Sequence, residues 1–458
     1  MAAPTLDPAL HHQLVDIVGA PHVIVDPDVV AGYILDWTRR FRGDSAAVVR
    51  PADAAEVAAT LAVCRRAGVA VVPQGGNTGL VAGAIAYDGA ITLSVTRLRD
   101  LGPVDAATGQ LSVGGGTTLA ELEAHVRESG WHFAIDLAAR ASATIGGMTA
   151  TNAGGLHVIR WGPMRSQLMG IEAATTSGAI IGDQRGLLKD NTGYHLPSIL
   201  CGSEGTLAVV TSARLRLVAP PASTAVALLA FSSVDDAVGA AGLLRYAVND
   251  ISAIELMVDA GVELVRSVYG WPAPFSLPKN ALLLVEASGE EGVVARLAEA
   301  VESVPAVDDV AVGESADQRA RLWRYRDAHT DAIATRGPVH KLDVTLPPAG
   351  LAAFMDDVRA LVVENRPQAE VWLFGHAGDG NIHVNITGVA EDDEGIDEIV
   401  LRTVAERGGS ISAEHGIGRA KRQWLHLNRS AEEIAMFRAI KRAFDPDAIM
   451  NPGVLIPD

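Results

Sequence analysis

The chain has only two cysteines in 458 residues, Cys64 and Cys201. That excludes a disulfide framework and a thiolate metal site, and makes a reducing cytoplasm the default compartment. Positive charge is also scarce: 37 Lys and Arg against 55 Asp and Glu leave a formal net charge of −18. A surface of that sign disfavours nucleic acid and anionic membrane as partners. A small anion is not barred, because screening hides distant charge from a local Arg or Lys. Long apolar runs are missing too. The charge-free stretches 68–87, 141–159 and 217–234 are rich in Gly, Pro, Ser, Thr or Asn. They read as buried loops and strands, not as membrane spans of about 20 apolar residues. The N-terminal "MAAPTLDPALHHQLVDIV" has no basic n-region and no long apolar h-region, so no signal peptide is expected. The expectation is a cytoplasmic protein without a transmembrane segment, with peripheral attachment at a membrane left open.

What is present suits a large core. The chain is 48% hydrophobic, and at roughly 150 residues per domain it divides into two or three domains. "AAVVRP" from Ala46 reads as a strand and "VAVVP" from Val69 as another. Between them Asp53 and Glu56 resemble a capping box, Val57, Leu61 and Cys64 share a face, and Gly68 is the stop. A second helix over 118–129 opens on a Thr118/Glu121 capping box and stops at Gly130. After the "VAPPAST" break at 218–224 the order becomes β-α-β-β-α-β, the grammar of a ferredoxin-like module. The last fifty residues form another unit, with a helix starting at Ser430 and Glu433 as its capping partner. The expected boundaries are an N-terminal helical segment 1–43, a first domain 44–219, a second 220–405 and a C-terminal segment 406–458.

Three separated runs are rich in glycine: "VVPQGGNTGLVAGA" (71–84), "ATIGGMTATNAGG" (143–155) and "CGSEGTLAVVT" (201–211). The first is no Rossmann fingerprint, because the residues after it, "IAYDGAITLSV", read as strand and turn and not as helix. Alone it is either a glycine-rich strand connection or a nest of backbone N–H groups for an anion. Three such runs together suggest one extended ligand approached closely by backbone.

A fourth segment carries different chemistry. In "VWLFGHAGDGNIHVNI" (371–386) two strands flank a glycine-rich turn. Strand alternation puts His383 and Asn385 on one face, with His376 at the turn. Two histidines near a turn are either surface or hydrogen-bonding residues or a pair of ligands for a borderline divalent ion. In the second case "SAEHGIG" offers Glu414 as a third ligand. His415 beside it has the intrinsic pKa of a general base at neutral pH. In "LWRYRDAHTDAIATRGPVHKLDVTLP" (322–347), Arg326 and Thr330 fall on one face of an expected helix, with Lys341 on the next strand. They are either a solvated face or a clamp for carboxylate. Arg324 faces elsewhere, and Trp323 and Tyr325 read as packing residues.

The set "PQGGNTGLVAG", "IGGMTATNAGG", "DNTGYHLPSILCGSEGTLAVVT", "GHAGDGNIHVNI", "AEHGIG" and the terminal "NPG" resembles the FAD-linked D-2-hydroxyacid dehydrogenases, within the vanillyl-alcohol-oxidase-like flavoproteins. The resemblance runs from about residue 40 to the end. It implies an α+β chain: a bipartite FAD-binding domain, a ferredoxin-like substrate (cap) domain and a helical C-terminal segment. It implies that Gln74, Gly75, Gly76, Asn77, Thr78, Gly79 and Leu80 wrap the pyrophosphate. Gly146, Gly147, Thr149, Thr151 and Asn152 would line the flavin, and Glu204, Gly205 and Thr206 would complete the pocket. It implies a divalent metal, zinc, on His376, His383 and Glu414, with Arg326, Thr330 and Lys341 on the substrate carboxylate; Asn385 is placed with the substrate and His415 as the base. Gln74 stands where many relatives have Arg, and His195 where Asp is common. No His lies in 71–84, so FAD is expected to be non-covalent.

The activity implied is oxidation of a small anionic D-2-hydroxy acid to the 2-oxo acid, D-2-hydroxyglutarate being favoured because the cationic cluster suits a diacid. D-lactate or glycolate oxidation is the alternative within the family. A zinc-dependent hydrolase is the alternative of another class, and a non-catalytic FAD-binding subunit a third. No nicotinamide fingerprint is present. A quinone or an electron-transfer flavoprotein is the expected acceptor, and a homodimer is compatible with the sequence.

Overall fold

The computed structural model describes residues 4–276 and 279–457. The chain forms two units. One comprises Met1–Gly155, Gly162–Pro220 and Glu414–Asp458, the other Leu156–Trp161 and Pro221–Ala413. The fold class is the mixed α+β one expected. The C-terminal segment from Glu414 is part of the first unit, and a six-residue piece, Leu156–Trp161, is part of the second.

The first unit holds two four-stranded sheets. In one, the order is Val23–Ile24, Ala47–Val49, Ile91–Ser94, Val71–Gln74, the last three strands parallel. In the other, Gln110–Gly114, Val209–Arg216, Leu168–Ala174 and Ile180–Asp183 are antiparallel neighbours. The helix Ala54–Ala67 buries Val57, Leu61 and Cys64 completely and ends on a left-handed Gly68. Its start differs from the expected box. Asp53 accepts from the Glu56 N–H, but the Glu56 carboxylate turns to the N–H of Ala52 at 2.7 Å. The boxes at Thr118/Glu121 and Ser430/Glu433 close in both directions. A short helix, Ile145–Thr151, forms where the sequence shows only a Gly/Thr-rich run. Gly and Thr are poor helix formers, so packing overrides propensity here: Ile145 and Met148 enter the same core as Leu119 and Leu122. The C-terminus closes this unit. Val71 N–H donates to Ile449, and the Asn451 N–H returns to Val71.

The second unit is one seven-stranded sheet. We number its strands β1 (Ser223–Phe231), β2 (Ile251–Val258), β3 (Ala281–Gly289), β4 (Asp309–Gly313), β5 (His340–Thr345), β6 (Glu370–His376) and β7 (Asn381–Thr387). The order is β4-β1-β3-β2-β6-β7-β5. The first four strands have the 4-1-3-2 order of a ferredoxin-like module, but an additional helix, Asp259–Tyr269, stands between β2 and β3 where the β-α-β-β-α-β reading expects none. The remaining three extend it across the β2–β6 pairing, where Glu255 lies opposite His376, Leu256 opposite Gly375 and Met257 opposite Phe374.

One face of this sheet is ordinary core. Val226, Leu228, Ala230, Met257, Leu282 and Leu284 pack with Val262 and Val265 of the helix Asp259–Tyr269 and with Tyr325, Ala328 and Ala332. Further along the same face, towards β5, the side chains turn polar. Because β2 is buried at all eight positions, its one charged residue, Glu255, has no solvent to reach.

Loss of a helix cap costs about 1 kcal/mol. Thr118→Ala and Asp53→Ala are each expected to lower unfolding free energy by about that much, read from denaturant midpoints at unchanged slope.

Candidate functional site

In the first unit the three glycine-rich runs converge. A Cβ on Gly75 would sit 2.2 Å from the Thr144 Oγ1, and one on Gly76 1.7 Å from the Ser142 carbonyl oxygen. The first run thus lies directly on the second. The third run joins them through Gly202 N–H to the Thr149 carbonyl (3.0 Å) and Glu204 N–H to the Ala150 carbonyl (2.8 Å).

The side chains expected to line a cofactor are mostly engaged by the protein itself. Gln74 is buried and its amide donates to the carbonyls of Tyr33 and Ala84, at 2.8 and 2.9 Å. Asn77 donates to Leu35 at 2.9 Å. The Thr149, Thr151 and Thr206 hydroxyls donate to carbonyls at Ile145, Gly147 and Ser203. Asn152 accepts from the Arg165 N–H at 3.0 Å. His195 is exposed and bonded to Ser198. What the loop leaves unused is its backbone. The N–H groups of residues 75–80 donate to no protein acceptor among the described residues, although five of the six residues are half-buried. A row of unmet donors in a glycine loop is a concavity for an anion such as a pyrophosphate. The residues present therefore fit FAD, through main chain more than side chain.

Glu204 is engaged by the protein as well. It is buried, and its carboxylate accepts from Ile417 N–H at 2.8 Å and Gly418 N–H at 2.7 Å. Burial pushes its carboxyl up, against those two N–H bonds and Lys421. It thereby grips the "HGIG" turn. Gly418, at φ +55, lies where a Cβ would be 2.0 Å from the Val81 carbonyl oxygen, so that turn needs glycine. Just before it, Glu414 accepts from the Gly155 N–H at 2.8 Å, and His415 comes next, half-buried.

In the second unit the polar side chains gather on the β2–β6–β7–β5 face. Register pairs Phe374 with His383, His383 with Asp343, and Asn385 with both Trp372 and Lys341. His376 and His383 stand edge to face, ring centroids 5.3 Å apart. Phe374 lies 5.0 Å from His383 on one side and 4.8 Å from His329 on the other. The helix of Arg326, Ala316–Asp327, ends before Thr330, which belongs to the next helix, His329–Ala334. The expected continuous helix face is thus broken at Ala328. Arg324 stacks away from this face over Trp271, at 4.6 Å. Trp323 does more than pack, since its indole N–H reaches Glu286 at 2.9 Å.

Two acids that the sequence alone does not single out sit under these groups. Glu255, 0% exposed, accepts from His376 Nδ1 at 2.6 Å and from Arg326 Nε at 2.5 Å. Burial pushes its carboxyl up, but His376 and Arg326 outweigh burial and hold it well below the usual carboxylate range. Asp343, also 0% exposed, lies 3.6 Å from His383 Nδ1 and accepts from the Asn381 amide. The signal for both is a single carboxylate in a strand, in the otherwise uncharged "ISAIELMV" and in the mixed "HKLDVT". His329 is buried, and burial with nearby Arg326 pushes its imidazole down to about 4, so it stays neutral. Lys341 is half-buried, and burial lowers its pKa against the pull of Asp331. Both cysteine thiols are pushed up by burial, Cys64 to about 12 and Cys201 to about 11, which removes them as nucleophiles.

Residues 45–182 match the model of an FAD binding domain, and residues 220–455 that of the C-terminal domain of FAD-linked oxidases. The chain belongs to the FAD-linked oxidase family. Members similar to it over nearly full length include the D-2-hydroxyglutarate dehydrogenase of Xanthomonas citri pv. viticola, 37% identical across 96% of this chain and 95% of that one. The mitochondrial D-2-hydroxyglutarate dehydrogenase of Bos taurus is 34% identical across 95% and 81%. Among solved structures, 4-ethylphenol oxidase from Gulosibacter chungangensis shares the fold, with a TM-score of 0.78 at 14% identity over 98% of this chain and 97% of that one. As a member of this family the protein is an FAD-linked oxidoreductase. Among the described residues, no helix is long and apolar enough to cross a membrane.

The glycine loop can be tested directly. Gly76→Ala drives a methyl into the Ser142 carbonyl and is expected to abolish the flavin absorbance near about 450 nm after gel filtration. Gly79→Ala meets no protein atom within 4 Å and is expected to unfold at the wild-type temperature.

Proposed function

We propose that the protein oxidises a D-2-hydroxy acid, with D-2-hydroxyglutarate favoured, to the corresponding 2-oxo acid. The observation that carries this is the row of anion- and ligand-capable side chains on one sheet face of the second unit, in a chain of this family. The names of relatives at 34–37% identity support the substrate.

Charge on that face bears on the mechanism. Among the charged groups of that face, Arg326 and Lys341 are cations, and Glu255 and Asp343 are buried carboxylates. These carboxylates offset these cations, so fixed side chains alone give a dianionic substrate little net attraction. A divalent cation would supply what is lacking. His376, His383 and Glu414 are the residues we assign to hold it, and zinc fits this donor set. Such an ion supplies electrostatic stabilisation to a hydroxyl losing its proton. FAD, when bound, takes up the hydride. The chain's own residues do the rest. Lys341 and Arg326 orient carboxylate, Thr330 and Asn385 add neutral hydrogen bonds, and His415 takes the hydroxyl proton. A monocarboxylate such as D-lactate or glycolate needs fewer of these groups, which is why the diacid is preferred. A hydrolase reading has no support in a chain whose residues 45–182 match an FAD-binding domain. The electron acceptor we assign is a quinone or an electron-transfer flavoprotein.

Anaerobic flavin bleaching against D- and L-2-hydroxy acids is the deciding assay. D-2-hydroxyglutarate should bleach the flavin fastest, and its L-enantiomer should not. His415→Ala should bind FAD normally yet lose at least about 100-fold in bleaching rate; an unchanged rate would remove His415 as the base. His376→Ala should lose metal and activity together.

Lys341 gives a pH test. It is cationic below its lowered pKa, so its attraction for carboxylate is full below that value and is lost as pH rises through it. Substrate Kd should therefore rise at a pH below the ordinary lysine range of about 10.4. Lys341→Met should weaken binding about 10- to 100-fold and remove that alkaline limb.

A further inference from the structure

The carboxylate of Glu255 has two partners and no solvent, and the chemistry of those partners fixes how each must present itself. Arg326 carries only donors. Its Nε points at Glu255 Oε2, at 2.5 Å. The other oxygen, Oε1, faces His376 Nδ1 at 2.6 Å. A carboxylate sealed from solvent and ion-paired with the Arg326 guanidinium through its other oxygen has no proton to give, so the hydrogen in the second contact belongs to the imidazole. Nδ1 is then the protonated nitrogen, and in the neutral ring Nε2 is the one that carries the lone pair. The strand register supports the same geometry, since Glu255 and His376 are direct neighbours across β2 and β6. Arg326 is further held over the Phe374 ring at 4.9 Å, so both ends of the bridge are fixed.

We propose that Glu255 is a positioning residue: it locks His376 in the Nδ1–H tautomer, keeping Nε2 as a ligand atom, and through the same carboxylate fixes Arg326 for substrate. The tautomer half concerns this chain alone. The ligand half rests on the reading of His376 as a metal ligand. A carboxylate behind a ligating histidine commonly sets its tautomer and raises its basicity. Here one buried carboxylate does so for the imidazole while restraining the substrate-side guanidinium, so the two are coupled.

Glu255→Gln makes the proposal testable because the outcome is dictated by donors and acceptors. Arg326 cannot accept a hydrogen bond, so the carboxamide oxygen must face it. The carboxamide NH2 then faces His376 Nδ1, which must become the lone-pair nitrogen. The ring is forced into the Nε2–H tautomer. The measurement is a long-range ¹H–¹⁵N spectrum of chelator-treated, FAD-loaded enzyme with histidine-selective ¹⁵N labelling. It is recorded at about pH 8.5, roughly two units above an ordinary histidine pKa, with His376 assigned by its absence in His376→Ala. The wild type should show protonated Nδ1 and bare Nε2, and Glu255→Gln the reverse. Zn²⁺ affinity, measured by competition with a chromophoric chelator, should fall about 10- to 100-fold in Glu255→Gln. Glu255→Asp keeps two acceptor oxygens and should restore the wild-type tautomer.

A wild-type ring protonated on Nε2 overturns the proposal, as does a Glu255→Gln enzyme with unchanged tautomer and Zn²⁺ affinity. The wild-type spectrum decides even where the glutamine variant does not fold. If the wild type carries the Nδ1 proton and the variant inverts it, yet neither takes up Zn²⁺, the positioning role stands and the metal assignment falls.

Discussion

A buried carboxylate that cannot reach water must be answered by donors, and in the second unit Glu255 is answered by one imidazole and one guanidinium. Removing either partner would strand a charge in a low-dielectric core, at a cost of about 3–5 kcal/mol. The arrangement is therefore rigid by necessity. The seven-stranded sheet supplies the frame: β2 and β6 meet at the register that sets Glu255 opposite His376, and the helix Ala316–Asp327 delivers Arg326 from above the same face. The polar end of an otherwise apolar sheet face results from that meeting.

The first unit meets a related demand with backbone. Its glycine loop leaves a run of N–H groups without protein acceptors among the described residues, while the side chains around it tie the three runs and the C-terminal turn to one another. A site built this way is specified by where chain segments can approach closely, and less by which polar side chains line it. Gln74 is one such tie: its amide bridges two carbonyls.

Much of this was legible in the sequence. Strand alternation placed His383 and Asn385 on one face, and the 4-1-3-2 module was implied by the order of apolar runs. Capping at Thr118 and Ser430 was readable from three-residue spacing. Other features were not, for identifiable reasons. The helix Ile145–Thr151 has the composition of a loop and is stabilised by packing. The break at Ala328 separates Arg326 from Thr330 without a proline or glycine to announce it. The engagement of Glu204 with Ile417 and Gly418 joins residues more than 200 positions apart, which no local pattern encodes. Glu255 and Asp343 were visible only as single acids, one in a mostly apolar strand and one in a mixed strand, a weak signal until the register is known.

The way Met450 and Asn451 lie against Val71 bears on the order of assembly during synthesis. A ribosome emits the glycine loop long before the residues that brace it, whereas Pro221–Ala413 emerges as one nearly continuous stretch. Contacts spanning almost the whole chain form slowly. The strand that leads into the glycine loop therefore gains its last backbone partners only once the tail has been made.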